Sequence, residues 1–489
     1  MNTPITYSLK NIPEFIFILF ITVSSCRNDQ GTPDFNGYPA DIGKIVYTQC
    51  ATAGCHNDAS KDAAAGLSMS SWEKLFEGGK NSAAIIPFRH DYSTFFYYTN
   101  TFPNLGVTLT PAMPYNKEHL SNIDMETIIN WIDNGAPDKN GFIKFSDNPG
   151  RKKFYVTNQG CDVVTVFDQA TLLPMRYINV GASTSVESPH MIKVSPDKQY
   201  WYVLSLAGLY LEKYRTSDDG FVGRATIGSG YWNAFTISSN SQIAYCTDLS
   251  PLSGKIATVD LNTMTASVQS GFNYPHGCTL NPNNDTLYVT EQVGSSKLYK
   301  IPVADFSSYS EIDLYTTPPI LPLNPHEVAF SPDGSKYFVT CQGSAEVRIF
   351  QTGTDQLLAA IPVGASPTEM SFSVSTNYLF VSCTEDTLNF PGKRGSVAII
   401  DYQTNQFIKN IYTGHQPHGI AVDDSKGLVI VANRNFSSDG PAPHHSGKCN
   451  GRNGYVTFID LSTLNLVSAG NTEKRIEIAV DPYSVSVRN

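Results

Sequence analysis

One position recurs along the C-terminal two thirds of this chain and restricts its fold more than any other feature. In fixed register it reads His190, Asn233, His276, His326, Thr368, His418 and Tyr483, at intervals of 43, 43, 50, 42, 50 and 65 residues. In four units the residue is a histidine preceded by proline, and an alternating strand follows, as in Ser188-Pro-His-Met-Ile-Lys-Val and Gln416-Pro-His-Gly-Ile-Ala-Val. Units of about 40–50 residues that each read as four short strands cannot bury their faces alone and stack in a ring, the signature of a β-propeller. The first unit, from Phe154 to Gly181, lacks its first strand, and the last, Pro482 to Arg488, consists of a first strand only. Pairing the two completes one blade from both ends and leaves no open edge. The expectation is an all-β seven-bladed propeller over residues 151–489, closed by the C-terminal strand.

Composition agrees with short strands and turns. The chain has 36 glycines, 29 prolines, 26 tyrosines and 26 phenylalanines, and 41% of its residues are hydrophobic, enough for a sizeable core. With 34 basic and 44 acidic residues the net charge is −10, which argues against wholesale nucleic-acid binding. No apolar run reaches the roughly 18 residues of a membrane span.

The N-terminus reads as an address. Lys10 precedes a short apolar run, Phe15–Val23, that ends in Ser24-Ser25-Cys26. The run is too short to cross a bilayer and reads as a secretory signal over 1–25. Its Val-Ser-Ser-Cys ending resembles a bacterial lipobox, which implies lipidation of Cys26, a tether over 26–39 and anchoring to a membrane in the periplasm or at the cell surface. A plain signal peptide with a chance cysteine is the alternative.

Between tether and propeller stands a different chemistry. Cys50-Ala-Thr-Ala-Gly-Cys55-His56 supplies two thiols and an adjacent imidazole, the set that covalent haem needs, although the usual spacing is C-x-x-C-H. Four intervening residues require a bulged loop, which Gly54 helps to form. A zinc site would need further ligands, and no second Cys/His pair stands nearby. A helical pattern over 41–49 with Asp41 as a candidate cap precedes the motif, and an amphipathic helix over Ile123–Ile132, ending at Asn134-Gly135, follows it. Between them, Thr110-Pro-Ala-Met113-Pro-Tyr115 offers a thioether in a proline-flanked loop. Residues 40–137 together resemble a small all-α bacterial cytochrome c domain of the C-x4-C-H kind. The resemblance implies Cys50 and Cys55 as thioether anchors, His56 as proximal and Met113 as distal iron ligand. Met69, His90 and His119 are rivals for the distal position. A turn-rich stretch over 138–150 reads as a linker.

The propeller units carry Tyr155-Val-Thr-Asn158, Tyr288-Val-Thr290 and Phe338-Val-Thr340, and they resemble the YVTN family of propellers. That resemblance speaks to fold and hardly to function. If the first strand of each blade lines the central channel, His190, His276, His326 and His418 converge on one mouth. The insertions 435–454, with His444, His445 and Cys449, and 384–395, with Lys393 and Arg394, open on the same face. Two readings of these side chains stand side by side. They form a copper or zinc site, or they bond the backbone across a metal-free channel that takes a small molecule or nothing. Of the six other cysteines (161, 246, 278, 341, 383 and 449), most read as small buried hydrophobes, and no pairing is named.

The functional expectation is an exported c-type haem protein that carries single electrons to or from a partner protein or a small redox substrate, with the propeller as docking or reaction platform. Two alternatives are a redox enzyme with a His-ligated metal at the channel mouth and a surface binding protein with a non-catalytic propeller. No nucleophile elbow, phosphate loop or H-E-x-x-H helix is present, so nothing points to hydrolysis.

Overall fold

The structure, a computed structural model, describes residue 1 and residues 34–315, 321–443 and 448–489. The expected signal, Cys26, His444 and His445 lie outside the described residues. The chain from 153 onward forms seven antiparallel blades, six of four strands and one, blade seven, of five. Their innermost strands are Pro482–Arg488 in blade one, then Pro189–Val194, Trp232–Ile237, Pro275–Leu280, Pro325–Phe330, Pro367–Phe372 and Pro417–Asp423 in blades two to seven. Blade one is assembled from both ends, as the unit boundaries predict. Pro482–Arg488 pairs antiparallel with Lys153–Asn158, with Phe154 opposite Val487 and Val156 opposite Val485. The two middle strands of blade one, Lys153–Asn158 and Val163–Asp168, are buried at every residue. Adjacent blades bury these faces against each other. Phe154, Val156 and Phe167 of blade one pack with Ile430, Val456, Phe458 and Ile478 of blade seven, across the closure.

Every innermost strand is bulged at the recurring position. Pro275 pairs with Glu291 and Cys278 with Val289, so an extra residue stands at His276-Gly277, and corresponding register shifts occur in all seven blades. A bulge bends the strand and re-aims one side chain, here toward the channel. The segment following is laced to the neighbouring blade by hydroxyls. Thr290 donates to the His326 carbonyl (3.0 Å), Thr340 to that of Thr368 (2.9 Å) and Ser382 to that of His418 (2.5 Å). The threonines of Tyr288-Val-Thr290 and Phe338-Val-Thr340 thus each join their blade to the next. Gly277 and Gly419 permit the close approach, since a Cβ there would stand 2.3 and 2.4 Å from the carbonyl oxygens of His326 and Tyr483.

Residues 34–145 fold around their own apolar cluster. It gathers Ile42, Trp72, Phe96, Ile128 and Ile132 from four short helices, α1 (Ala40–Ile45), α2 (Trp72–Glu77), α3 (Thr94–Thr99) and α4 (Asn122–Asp133), with Tyr38 from the segment before α1. Asp41 does not cap α1. Pro39 holds that position without a side-chain bond, and α1 widens into one π-turn over Val46–Cys50. α4 starts instead from a capping box between Ser121 and Asp124. The indoles of Trp72 and Trp131 donate to the carbonyls of Ala136 and Pro137 (2.9 Å each) and fasten the exit from α4.

This helical unit sits on the rim of the propeller where blades one and seven meet. Tyr92 stacks on Tyr177 of blade one at 4.1 Å. Arg89 donates to the Tyr177 carbonyl and to Asn179 (3.1 and 2.9 Å). Asp91 meets Lys448 of the blade-seven insertion at 2.9 Å.

Candidate functional site

Two regions concentrate the chemistry singled out by the sequence. In the helical unit, the loop after Cys50 closes on itself. The His56 N–H donates to the Cys50 carbonyl (3.1 Å), that of Cys55 donates to Thr52 (3.0 Å), and Gly54 takes φ +79°. Cys50 is buried in the apolar cluster and Cys55 is half-buried. Burial pushes the Cys50 thiol up to about 12. Burial also holds His56 below its ordinary pKa, hence neutral. Its Nδ1 faces the Leu67 carbonyl at 3.4 Å. Leu67, Leu105, Val107 and Leu109 pack against the same cluster.

Met113 is half-buried, and its N–H donates to the Tyr98 carbonyl (2.7 Å) at the end of α3. Further along the same loop, Lys117 Nζ donates to Thr52 Oγ1 (3.1 Å), so the Met113 loop and the cysteine loop lie against one another. Of the rivals, Met69 is buried, and its N–H donates to the His56 carbonyl (2.8 Å). His90 is bonded to Asp133 at 2.8 Å, and His119 is exposed.

In the propeller, the four histidines do converge. The ring centroids of His276 and His326 are 4.2 Å apart, those of His326 and His418 5.7 Å, and Tyr483 bridges His418 (3.7 Å) to His190 (4.2 Å). Above this ring lies a cavity of about 340 Å³, whose wall includes Asn233, Thr368, Gln292, Gln342, Tyr231 and Arg434. Below it lies a void of about 10 Å³, room for one water. Glu327 and Glu369 line that void and follow directly after His326 and Thr368 in sequence.

The electrostatics of the ring are those of neutral groups. Desolvation drives His276 down to about 4 and His418 down to about 3, and it holds His190 and His326 well below the ordinary value. Burial likewise raises Glu327 and Glu369 to about 8, with their mutual repulsion adding to the rise at Glu327. The pair therefore keeps a proton at neutral pH. Arg434 is bound bidentately to Asp481 (2.6 and 2.9 Å).

Three ring nitrogens are already engaged. His276 Nδ1 bonds the His326 carbonyl (2.9 Å), His418 Nδ1 that of Tyr483 (3.2 Å), and His190 Nδ1 the Gln159 amide (2.8 Å). Of the four Nδ1 atoms that of His326 is buried without a partner, and so is Asn233 Nδ2 in blade three. Among the described residues no group of three or more His, Cys, Asp and Glu side chains is arranged to hold a metal ion.

One sequence expectation is corrected. Cys449 is not available as a ligand, because it is disulfide-bonded to Cys161 of blade one, with Cα atoms 5.4 Å apart. The pair lies 288 residues apart, so no local spacing announced it. Cys246, Cys278, Cys341 and Cys383 are buried free thiols, as expected of small hydrophobes. The Glu327/Glu369 pair was not foreseen, and its signal was the charged residue after the ring position in two consecutive blades.

No protein-family model matches the chain, and no curated protein matches it. Among solved structures it is similar to the periplasmic gluconolactonase of Pseudomonas aeruginosa, with 16% identity and a TM-score of 0.52 over 69% of this chain and 98% of that one. It is also similar to hydrazine synthase of Kuenenia stuttgartiensis, with 16% identity and a TM-score of 0.48 over 63% of this chain and 91% of that one. These likenesses are of fold, and they assign no activity.

Proposed function

We propose that the protein is an exported c-type haem protein that transfers single electrons, with the helical unit carrying the haem and the propeller serving as platform for a partner. The observation that carries this reading is the placement of His56, whose backbone N–H donates to the Cys50 carbonyl and whose Nδ1 faces the Leu67 carbonyl, which orients the ring and leaves Nε2 as the metal-binding nitrogen. The neighbouring residues suit the same group. A buried thiol at Cys50 and a more open one at Cys55 would form the two thioethers, and Met113, on a loop held against the cysteine loop, would be the sixth ligand. The apolar wall of Leu67, Leu105, Val107 and Leu109 would exclude water from one face. When bound, haem c supplies a reversible one-electron iron couple, which Met/His ligation sets at high potential.

Export follows the same reading. A disulfide between Cys161 and Cys449 suits an oxidising compartment, and Cys26 would provide the membrane anchor. The helical unit rests against the blade-seven insertion through Asp91 and Lys448, so a partner bound at the propeller rim would stand close to the helical unit. The test is haem staining of the denatured chain after expression with a cytochrome c maturation system. The wild type should retain haem through denaturing electrophoresis, and Cys50→Ser with Cys55→Ser should lose it. Stain that persists in the double variant would refute the assignment.

A further inference from the structure

A second cavity, separate from both regions above, lies between blades six and seven. It measures about 350 Å³ and is lined by both sequence insertions, through Lys393 on one side and Asp439, Gly440 and Pro441 on the other. Its floor is Tyr412 and Tyr455, and Arg475 enters from the outermost strand of blade seven, Arg475–Val480. Cavities of this size are those that hold small organic ligands.

The charges in the cleft are unevenly matched. Asp439 is engaged by Arg394 at 3.3 Å and His415 at 3.4 Å, and Arg394 also meets Glu385 at 3.0 Å. His415 is kept toward its neutral form by burial, and its Nε2 bonds Ser437 (2.7 Å). The two remaining cations have no carboxylate partner among the described residues. Lys393 stands 5.0 Å over Tyr412 and Arg475 lies 3.6 Å over Tyr455. Arg475 Nη2 is buried without a hydrogen-bond partner. Glu473 is the one other acid in the lining, and it is exposed. With Asp439, the lining holds two carboxylates against these two cations and carries no excess charge, yet neither cation is paired with either carboxylate.

We propose that this cleft binds a small organic monocarboxylate, held by the guanidinium of Arg475 and the ammonium of Lys393. A guanidinium laid flat on a tyrosine presents its N–H groups at the edge, in the planar fork that matches a carboxylate. Leaving a buried guanidinium N–H unpaired is costly, and a ligand carboxylate would satisfy it. The second charge of a dianionic phosphate would stand against Asp439 and Glu473, so a monoanion suits the cleft better. The site uses none of the residues assigned to haem, so it stands or falls independently of that reading.

Calorimetric titration of the full chain with benzoate, benzamide and inorganic phosphate tests it. Benzoate should bind, its uncharged analogue benzamide should not, and phosphate should bind more weakly than benzoate. Arg475→Lys keeps the charge and removes the fork, and it should weaken benzoate at least about tenfold, the loss expected of one charge-assisted hydrogen bond. Lys393→Gln, at an exposed position, should weaken it several-fold with an unchanged melting temperature. This variant keeps the test decisive if Arg475→Lys disturbs folding. No heat with benzoate, equal binding of benzamide, phosphate binding as tightly as benzoate, or wild-type affinity in Lys393→Gln would each overturn the proposal.

Discussion

Replacing Cys161 and Cys449 with serine should destabilise the propeller more than any surface change. The bond joins a turn of blade one to the long insertion of blade seven across 288 residues, so in the unfolded chain it closes a very large loop. The chain-entropy relation for a loop of that length gives about 5–6 kcal/mol at 25 °C, an upper bound beside the roughly 2–5 kcal/mol usual for a native disulfide. Part of the effect is local. The Tyr92 hydroxyl lies 3.5 Å from Cys449 Sγ, and Lys448 next to it pairs with Asp91, so freeing the insertion also loosens the seat of the helical unit. The assay is urea unfolding followed by tryptophan fluorescence, for the double variant and for wild type with and without reductant. Reduced wild type and the double variant should unfold together, at a lower midpoint than oxidised wild type. Reductant should not affect the double variant. Coincident midpoints for all three samples would refute the reasoning.

Other expectations follow from named contacts. Lys153 and Asp219 form a buried ion pair at 2.7 Å, each with 2% of its side chain exposed. Lys153→Met strands the carboxylate and should cost about 3–5 kcal/mol by denaturant titration, whereas an unchanged midpoint would show that the pair contributes nothing. Deleting residues 482–489 removes the innermost strand of blade one and exposes the edge of Lys153–Asn158. Soluble yield should collapse into aggregate, and a monomeric, cooperatively melting truncation would contradict the closure. The channel histidines bind protons less readily folded than unfolded. Their contribution to stability is therefore complete above the unfolded pKa of about 6.5 and is lost as pH falls toward the folded values of about 4 for His276 and about 3 for His418, by up to about 1.4 kcal/mol per histidine per pH unit. Glu327 and Glu369 act in the opposite sense, because their raised folded pKa of about 8 removes stability as pH rises from about 4.5 to 8. Glu369→Gln should therefore gain stability over wild type at pH 8–9, and a loss there would show that the carboxylate is ionised and paired. In the haem-loaded protein, Met113→Ala should keep covalent haem and lower the reduction potential, and an unchanged potential would exclude Met113 as ligand.

The ring was legible because its register is written in proline and histidine. The bulge that turns each side chain inward occupies the same place in every blade, so the spacing alone could be followed from His190 to Tyr483. Closure was legible for a related reason, since an incomplete first unit and a lone last strand can only complete each other. What stayed hidden depends on partners far apart in sequence. The Cys161–Cys449 bond and the Lys153–Asp219 pair are set by which blades become neighbours, and no periodicity encodes that. The state of the histidines was hidden too. Sequence brings four imidazoles to one mouth, but it shows neither the burial that keeps them neutral nor the bonds of three Nδ1 atoms to the Tyr483 and His326 carbonyls and Gln159. In the helical unit, the pattern over 41–49 marks a helix but not its widening into a π-turn at Val46–Cys50, and the cap is not at Asp41.

The central claim is that Cys50, Cys55 and His56 hold one haem covalently. The most direct measurement is iron and pyridine haemochrome per chain, on protein matured with a cytochrome c assembly system and then extracted with acidified acetone. One iron and one haemochrome per chain should remain with the polypeptide after extraction. No iron, or haem that leaves with the solvent, would contradict the account.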